Sequence, residues 1–513
     1  MKWSTTFLFS KFVLIIICCS CLVSVVAGVQ TLDIAAPWDP KTTDPHVNGA
    51  IAQRMGITET LVDINDEALI SPGLATSWEV SGDQKTWTFH LRDGVKFHDG
   101  TPFTAKAMKK SLEDSLKKSK TFSSVPIKDI KASDVLTLEI VLDKPLPSLP
   151  AWMAKGESAA LSESSIDEGD ISTPISTGPF KFSSLSPNEK FVAIKNTDYW
   201  GKIPSVEEVV YHVVPEAVTR SLMLKGGDVQ IAQILSPNIV EEYRNDNTYT
   251  VNTKPISRVR LLSYNCESGP FADTAVRQAM NYAINRQDLV DYVLEGVGEP
   301  ATSLFPPTFY WGNKDIQPYS YNPEKAKSIL LSSGWTDSDN DGVLDKNGEK
   351  LSLTLVTYPE RAELPPMAEI IQDQLKKIGV EVEVKSVDTD TSENLRFSGD
   401  FDMYLGGRSL MNAPDPDWIM MADYHSSGTF NRGYGPYKWK NEKMDSLLEE
   451  ARTLADNDAR KKLYDQAQQI INDEAPVSVL SYYVNEDVTS NKIKGYRMHP
   501  TEFAFHLEDV SLS

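Results

Sequence analysis

Strand-like and helix-like segments interleave along the whole chain, and no low-complexity linker separates one block from the next. That interleaving limits the fold to α/β or α+β with several lobes. Trp87, Phe89 and Leu91 alternate with Thr88, His90 and Arg92 in "KTWTFHLRDG", the period of a half-buried strand. "SGDQ" before it and "HDGTP" after it read as turns, and "TAKAMKKSLEDSLKK" reads as a helix opened by Thr104. "QTLDIAAP", "VLTLEIVLDKPLP", "VEEVVYHVVP", "VRLLSYN" and "PVSVLSYYVNEDV" read as further strands. "AIAQRMGITETLVDI", "EAVTRSLMLKGG", "DTAVRQAMNYAINRQDLVDYVLEG" and "KMDSLLEEARTLADNDARKKLYDQAQQIINDEA" carry helical spacing, the third as a long helix or helix pair and the last as a helical pair. At 513 residues the chain exceeds a single hydrophobic core. Without a flexible linker, its lobes are wound into one another and not strung like beads.

The first 28 residues, "MKWSTTFLFSKFVLIIICCSCLVSVVAG", place Lys2 and Lys11 at the front of an apolar run and small residues at Val25 and Ala27. This is the pattern of a secretory leader cleaved near Ala27 or Gly28, with an uncleaved anchor as the alternative and a lipid on Cys21 as a variant of it. The run from Phe12 to Val26 is shorter than the roughly 20 residues that span a bilayer. Losing Lys2 and Lys11 with the leader takes the net charge from −21 to −23. Such acidity disfavours nucleic acid, which needs concentrated Lys and Arg; it fits solubility alone, and leans only weakly toward a cationic ligand. Cys266 is the one cysteine beyond the leader, so the exported chain has no disulfide framework; it reads as a small buried residue.

No nucleophile elbow, zinc-protease helix, phosphate-binding loop or dinucleotide fingerprint occurs. The seven His, at 46, 90, 98, 212, 425, 499 and 506, lack metal-ligand spacing. One stretch, "DSDNDGVLDKNG", sets Asp337, Asp339, Asp341 and Asp345 at oxygen-ligand positions of a calcium loop, with Gly342 at the sharp turn. Gly348 stands where a bidentate Glu would close such a loop, so a solvated turn competes with a weak structural Ca²⁺ site.

Residues 406–437, "GGRSLMNAPDPDWIMMADYHSSGTFNRGYGPY", show almost no regular pattern. Long irregular segments inside a compact domain are functional or disordered.

Six blocks, in order, resemble the extracytoplasmic solute-binding proteins of ABC importers, peptide/nickel family (solute-binding family 5). They are "LATSWEVSGDQKTWTFHLRDGVKFHDGTPFTA", "STGPFKF", "NTDYWGKIPSVEEV", "AVRQAMNYAINRQDLV", "YNPEKAKSILLSSGW" and "MAEIIQDQLKKIGVEVE". Most of these are fold markers: Trp87 and Phe97 read as core aromatics, Gly178 and Pro179 as turn chemistry. The resemblance implies an α/β, two-lobed periplasmic-binding-protein fold of class II type, with an extra N-terminal subdomain and a hinge between lobes. It implies a first lobe over 29–263 that includes the subdomain at about 60–170, a second lobe over 264–483, and a return to the first lobe over 484–513. The hinge is expected near "LLSYNC" and "VLSYYVN". It further implies a non-enzymatic, monomeric protein that delivers a small ligand to an ABC permease with its ATPase subunit. A secreted hydrolase or a surface receptor on the same scaffold is the competing reading.

Peptide-binding members hold the peptide's amino terminus with an acidic residue four positions before a Pro. That position here is Asn412, an amide, with Asp415 and Asp417 as substitutes. Nickel-binding members grip a metal chelate with an Arg, aromatics and a His. Arg408 and His425 resemble those residues, and imidazole suits nickel as a chelate's last ligand. The first-lobe Arg of that group has no counterpart, and Trp152 and Lys155 stand there instead. Trp418, Tyr424, Tyr434 and Trp152 are the candidate cleft walls. The expected ligand is therefore a nickel chelate or a short peptide, with no required cofactor.

Overall fold

β1 (Thr31–Ala36) is apolar on both faces beyond its first residues, as a strand covered on both sides must be. The computed structural model describes residue 1 and residues 30–167, 169–267, 269–410, 414–428 and 437–513. The leader and its cysteines fall outside these. Next along the chain, β2 (Ala75–Val80), β3 (Thr86–Leu91), β4 (Ile127–Ala132) and β5 (Thr137–Leu142) form an antiparallel sheet of order β2-β3-β5-β4. Helix α1 (Ala105–Lys118) covers it with Ala105, Met108 and Leu112, and its N-cap Thr104 accepts from the Ala107 N–H at 3.2 Å.

The strands β6 (Phe180–Ser186), β7 (Lys190–Lys195), β8 (Glu208–Val213), β9 (Ile231–Ala232), β10 (Tyr249–Tyr264), β11 (Ser352–Thr357), β12 (Glu381–Ser386), β13 (Met403–Ser409) and β14 (Val477–Ser490) join β1. Among the described residues these make one ten-stranded sheet of order β12-β11-β13-β10-β14-β9-β1-β8-β7-β6. One side of the sheet comes from residues 31–232 and the other from residues 352–409. The long antiparallel strands β10 and β14 lie between them and belong to both. Their register breaks between Pro255 and Val259, opposite Val484 and Tyr482, and again between Arg260 and Leu261, opposite Ser481 and Val479. Bulges of this kind bend and twist a ladder.

Helix α2 (Thr274–Ala283), capped by Asp273, buries Val276, Ala279, Met280 and Ala283 on one face. Helix α3 (Leu364–Lys376) connects β11 to β12 and packs against both through Met367, Ile371 and Leu375. Further on lie α4 (Asp417–Asp423), α5 (Glu442–Ala451) and α6 (Asn457–Glu474). Residues 61–160, with the β2–β5 sheet, share one hydrophobic cluster with α4, α5 and α6. A second cluster fills residues 262–405. Trp87 and Phe97 are core aromatics, 7% and 3% exposed. Cys266 is half-buried, and burial pushes its thiol up to about 12.

Several sequence expectations change. The helix read in "AIAQRMGITETLVDI" is only Ala50–Arg54; Gly56, at φ +66°, ends it, and Val62–Ile64 is a strand. Of the long helix or helix pair expected after Asp273, the structure has the pair: the first stops at Ala283, and Asn285 caps a short second helix. Gly178 serves close packing and not turn chemistry: a Cβ there would lie 2.2 Å from the Gly56 carbonyl oxygen. The patternless stretch from Gly406 holds the end of β13 and all of α4. Every residue of α4 is buried, so it has no polar face to give a helical period. No described helix is long and apolar enough to cross a membrane.

Candidate functional site

Where β10 and β14 lose register, guanidinium groups gather around one tyrosine. Tyr483 stands on β14. Arg260 of β10 lies 3.6 Å from its ring centroid, Arg361 5.1 Å and Arg258 5.9 Å. Cation–π contacts of this kind contribute about 0.5–2 kcal/mol each, but three like charges need countercharge. Glu363, which begins α3, supplies part of it. It accepts from Arg260 Nε at 3.2 Å and from the Tyr483 hydroxyl at 2.9 Å. Burial pushes the Glu363 carboxyl up, yet Arg260 and Arg361 outweigh this and hold it below its ordinary value. Arg258 pairs with Glu502 at 3.3 Å.

Arg361 forms no ion pair among the described residues. Residues 411–413 and 429–436 contain no Asp or Glu that could supply one. It is half-buried in the loop between β11 and α3. Burial opposes its charge, while Tyr483, Tyr358 and Glu363 offset this and keep it above its ordinary range. Two glycines of β13 make the packing possible. A Cβ on Gly407 would sit 2.7 Å from the Tyr483 hydroxyl and 3.1 Å from Arg361 Nε; one on Gly406 would meet the Tyr404 ring at 2.7 Å.

The next residue is Arg408. Its Nε and Nη2 donate to Asp423 Oδ2 and Oδ1 at 2.7 and 2.6 Å, and its guanidinium lies 5.0 Å from the Trp418 ring. Asp423 also accepts from the Tyr437 hydroxyl at 3.0 Å. The same arrangement recurs along this segment. Asp415 takes Arg460 through two bonds of 2.6 Å, and Asp417 takes Arg452 at 2.7 and 3.2 Å. Asp417 accepts a further bond from Ser148 at 3.1 Å, which ties residues 148–158 to α4. Asp415, Asp417 and Asp423 are all buried. Using Asp415 or Asp417 to hold an ammonium would break a buried pair, which costs about 3–5 kcal/mol. Neither is the open carboxylate the sequence offered.

Among the other expected residues, Trp418 and Tyr424 are buried with Trp152 in the shared hydrophobic cluster. Tyr424 packs on Tyr437 with ring centroids 5.4 Å apart, and Lys155 stands 5.6 Å from the Trp152 ring. His425 turns toward α5: Nδ1 accepts from the Ser427 N–H at 3.1 Å, and Nε2 lies 3.5 Å from Glu449 and 4.0 Å from Asp445. The structure thus joins Arg408 with Trp418, and leaves His425 among carboxylates of its own helix neighbourhood. Asn412 and Tyr434 lie outside the described residues. Oxygens of Asp337, Asp339 and Asp341 lie within 4.8 Å of one another. The Lys350 ammonium reaches both Asp339 and Asp341, and Asp345 is engaged by Ser338 at 2.7 and 2.8 Å. That loop has a cation of its own, and the calcium expectation is not carried further.

The residues missed in the sequence are Arg260, Arg361, Glu363 and Tyr483. The double glycine before Arg408 was the local signal, since paired glycines in a strand mark close approach by another group.

A model of the bacterial extracellular solute-binding proteins, family 5 (Middle), matches residues 70–431. The chain is 28% identical over 501 residues to the dipeptide-binding protein of Escherichia coli K12, covering 91% of this chain and 89% of the relative. It is also 28% identical over 493 residues to the nickel-binding periplasmic protein of the same organism, covering 91% and 93%. The structure superposes on the nickel ABC transporter from Bacillus halodurans with a TM-score of 0.80 at 27% identity, over 94% of this chain and 99% of the other. The overall fold is therefore the two-lobed periplasmic-binding-protein fold expected from the sequence.

Proposed function

Because the chain belongs to the bacterial extracellular solute-binding proteins of family 5, which bind for transport and are not enzymes, we propose that it captures a nickel chelate between its lobes. Delivery is to an ABC permease driven by its ATPase subunit. The observation that carries the ligand reading is Arg361. It is a guanidinium without a carboxylate partner among the described residues, set beside Tyr483 where the strands common to both halves cross. The carboxylates at 415, 417 and 423 are each committed to an arginine. Such a site receives a ligand's carboxylate better than its ammonium, and a charge-assisted bond to that carboxylate is about twice as strong as a neutral one. A nickel ion wrapped by an amino acid such as histidine presents one or more carboxylate groups. The net acidity of the chain suggested a cationic ligand; the local charge favours the reverse. A short peptide is the second reading, since its C-terminal carboxylate suits Arg361 equally and a relative is a dipeptide-binding protein.

The lobes proposed are residues 29–263 with 484–513, and 264–483; the subdomain at about 60–170 corresponds to the β2–β5 sheet. The hinge lies at the register breaks of β10 and β14, within "VLSYYVN" on one strand and just before "LLSYNC" on the other. The chain acts outside the cytoplasm as a monomer, exported by residues 1–28.

Isothermal titration of the purified chain separates the readings. Saturable binding of Ni²⁺ with L-histidine, and not of Ni²⁺ alone, is expected. Binding of dipeptides only would move the assignment to the peptide reading. Binding of neither would overturn both.

A further inference from the structure

A cavity with a volume of about 30 Å³ lies in the second half of the chain, with Val479 at the second register break in its wall. Asn281, Arg286, Thr302, Ser303, Tyr319 and Asn472 give it polar walls, and no residue lining it is Asp or Glu. Arg286 is its single charge and is 9% exposed. Its Nε donates to the Val479 carbonyl at 2.7 Å, Nη1 to the Asn281 carbonyl at 3.1 Å and Nη2 to Asn281 Oδ1 at 2.6 Å. A guanidinium has five N–H donors, so two are left over. Arg286 forms no ion pair among the described residues. Asn281 lies in the last turn of α2, whose dipole supplies about half a negative charge. The other half is uncompensated in a buried place, where an unmatched charge is costly. Burial pulls the Arg286 guanidinium down to about 10, and only Tyr264 and Tyr319, uncharged near neutral pH, act against it.

We infer that this cavity is a binding site for a small monovalent anion, of the size of chloride, held by the two remaining N–H groups of Arg286 and by side-chain amide N–H groups of Asn281 and Asn472. The volume is about twice what a single water needs, which admits a monatomic anion and rejects an amino acid or peptide. Val477 and Val479 of β14 form part of the wall. A bound anion would therefore brace that strand against the second half of the molecule.

Thermal unfolding of the whole exported chain, without transport ligand, tests this. Sodium chloride or bromide is compared with sodium gluconate at equal ionic strength. The halides should raise Tm saturably by about 1–2 °C while gluconate does not, and Arg286→Met should abolish the difference. Crystals soaked in bromide should show an anomalous peak at the Arg286 guanidinium, a readout that stands if the variant does not fold. Superimposable melts in all three salts, with no bromide peak, would mean that the cavity holds water and would overturn the assignment. Neither result bears on the ligand between the lobes.

Discussion

At the scale of single residues, the distinction that matters is between arginines that have a carboxylate and arginines that do not. Arg408 has one. The sequence singled it out as a ligand contact, but its geometry is that of a bidentate pair with buried Asp423. Arg408→Ala leaves that carboxylate buried and unmatched. It should lower unfolding stability by about 2–4 kcal/mol, at or just under the range for breaking a buried pair, as read from urea melts of the ligand-free protein. A variant as stable as the parent would return Arg408 to the ligand. Arg361→Ala should do the opposite. Its unfolding free energy should stay within about 1 kcal/mol of the parent, while ligand affinity falls about 10- to 100-fold, the worth of a hydrogen bond to a charged group. Titration calorimetry on both variants reads the contrast. This difference was not legible in the sequence. Arg361 and Arg408 look alike there, and only tertiary structure sets Asp423 under one and Gly407 beside the other.

At the scale of elements, what could be read was what is local. Thr104 caps its helix, and Trp87, Phe89 and Leu91 line one face of β3, because caps and strand periods depend on near neighbours. The end of β13 and α4 were missed, because full burial removes the periodicity on which such reading depends. Glu59 is an intermediate case. It lies in a segment misread as helix, and it anchors two fold-marker blocks. Its carboxylate accepts from Thr177 at 2.7 Å, Tyr199 at 2.8 Å and Trp200 at 2.9 Å. Burial outweighs those three bonds and raises its pKa to about 7. A folded value above the unfolded one means that the folded state holds the proton more tightly. The associated stability is present below about pH 4.5 and is lost as pH rises through 7. Glu59→Gln cannot titrate. The stability difference between parent and variant should therefore shift by on the order of 2–3 kcal/mol, against the parent, between pH 5 and pH 8, at 1.36 kcal/mol per pKa unit. Reading the difference removes the opposing effect of His98 and His499, which burial lowers to about 4. A difference that does not change with pH would mean that Glu59 is ionised throughout.

At the scale of the whole molecule, one sheet runs through both lobes, so a change in their angle must be taken up in β10 and β14. The register breaks put the weakest pairing of those strands beside Arg258, Arg260, Arg361 and Tyr483. The shared hydrophobic cluster and the Ser148–Asp417 bond hold residues 61–160 against α4. Working against them is the repulsion of guanidiniums of which one lacks a countercharge. A ligand carboxylate removes that repulsion, and so does deletion of the charge. Small-angle scattering can therefore separate the contributions. Ligand-free protein should have a radius of gyration above the about 23 Å of a compact chain of this length, and adding ligand should bring it toward that value. Ligand-free Arg361→Ala should already be displaced toward the compact value, and added salt, which shortens the reach of charge repulsion, should compact the parent more than the variant. If the variant without ligand scatters as the parent does, the uncompensated guanidinium is not what holds the lobes apart, and closure is set by ligand contacts elsewhere in the cleft.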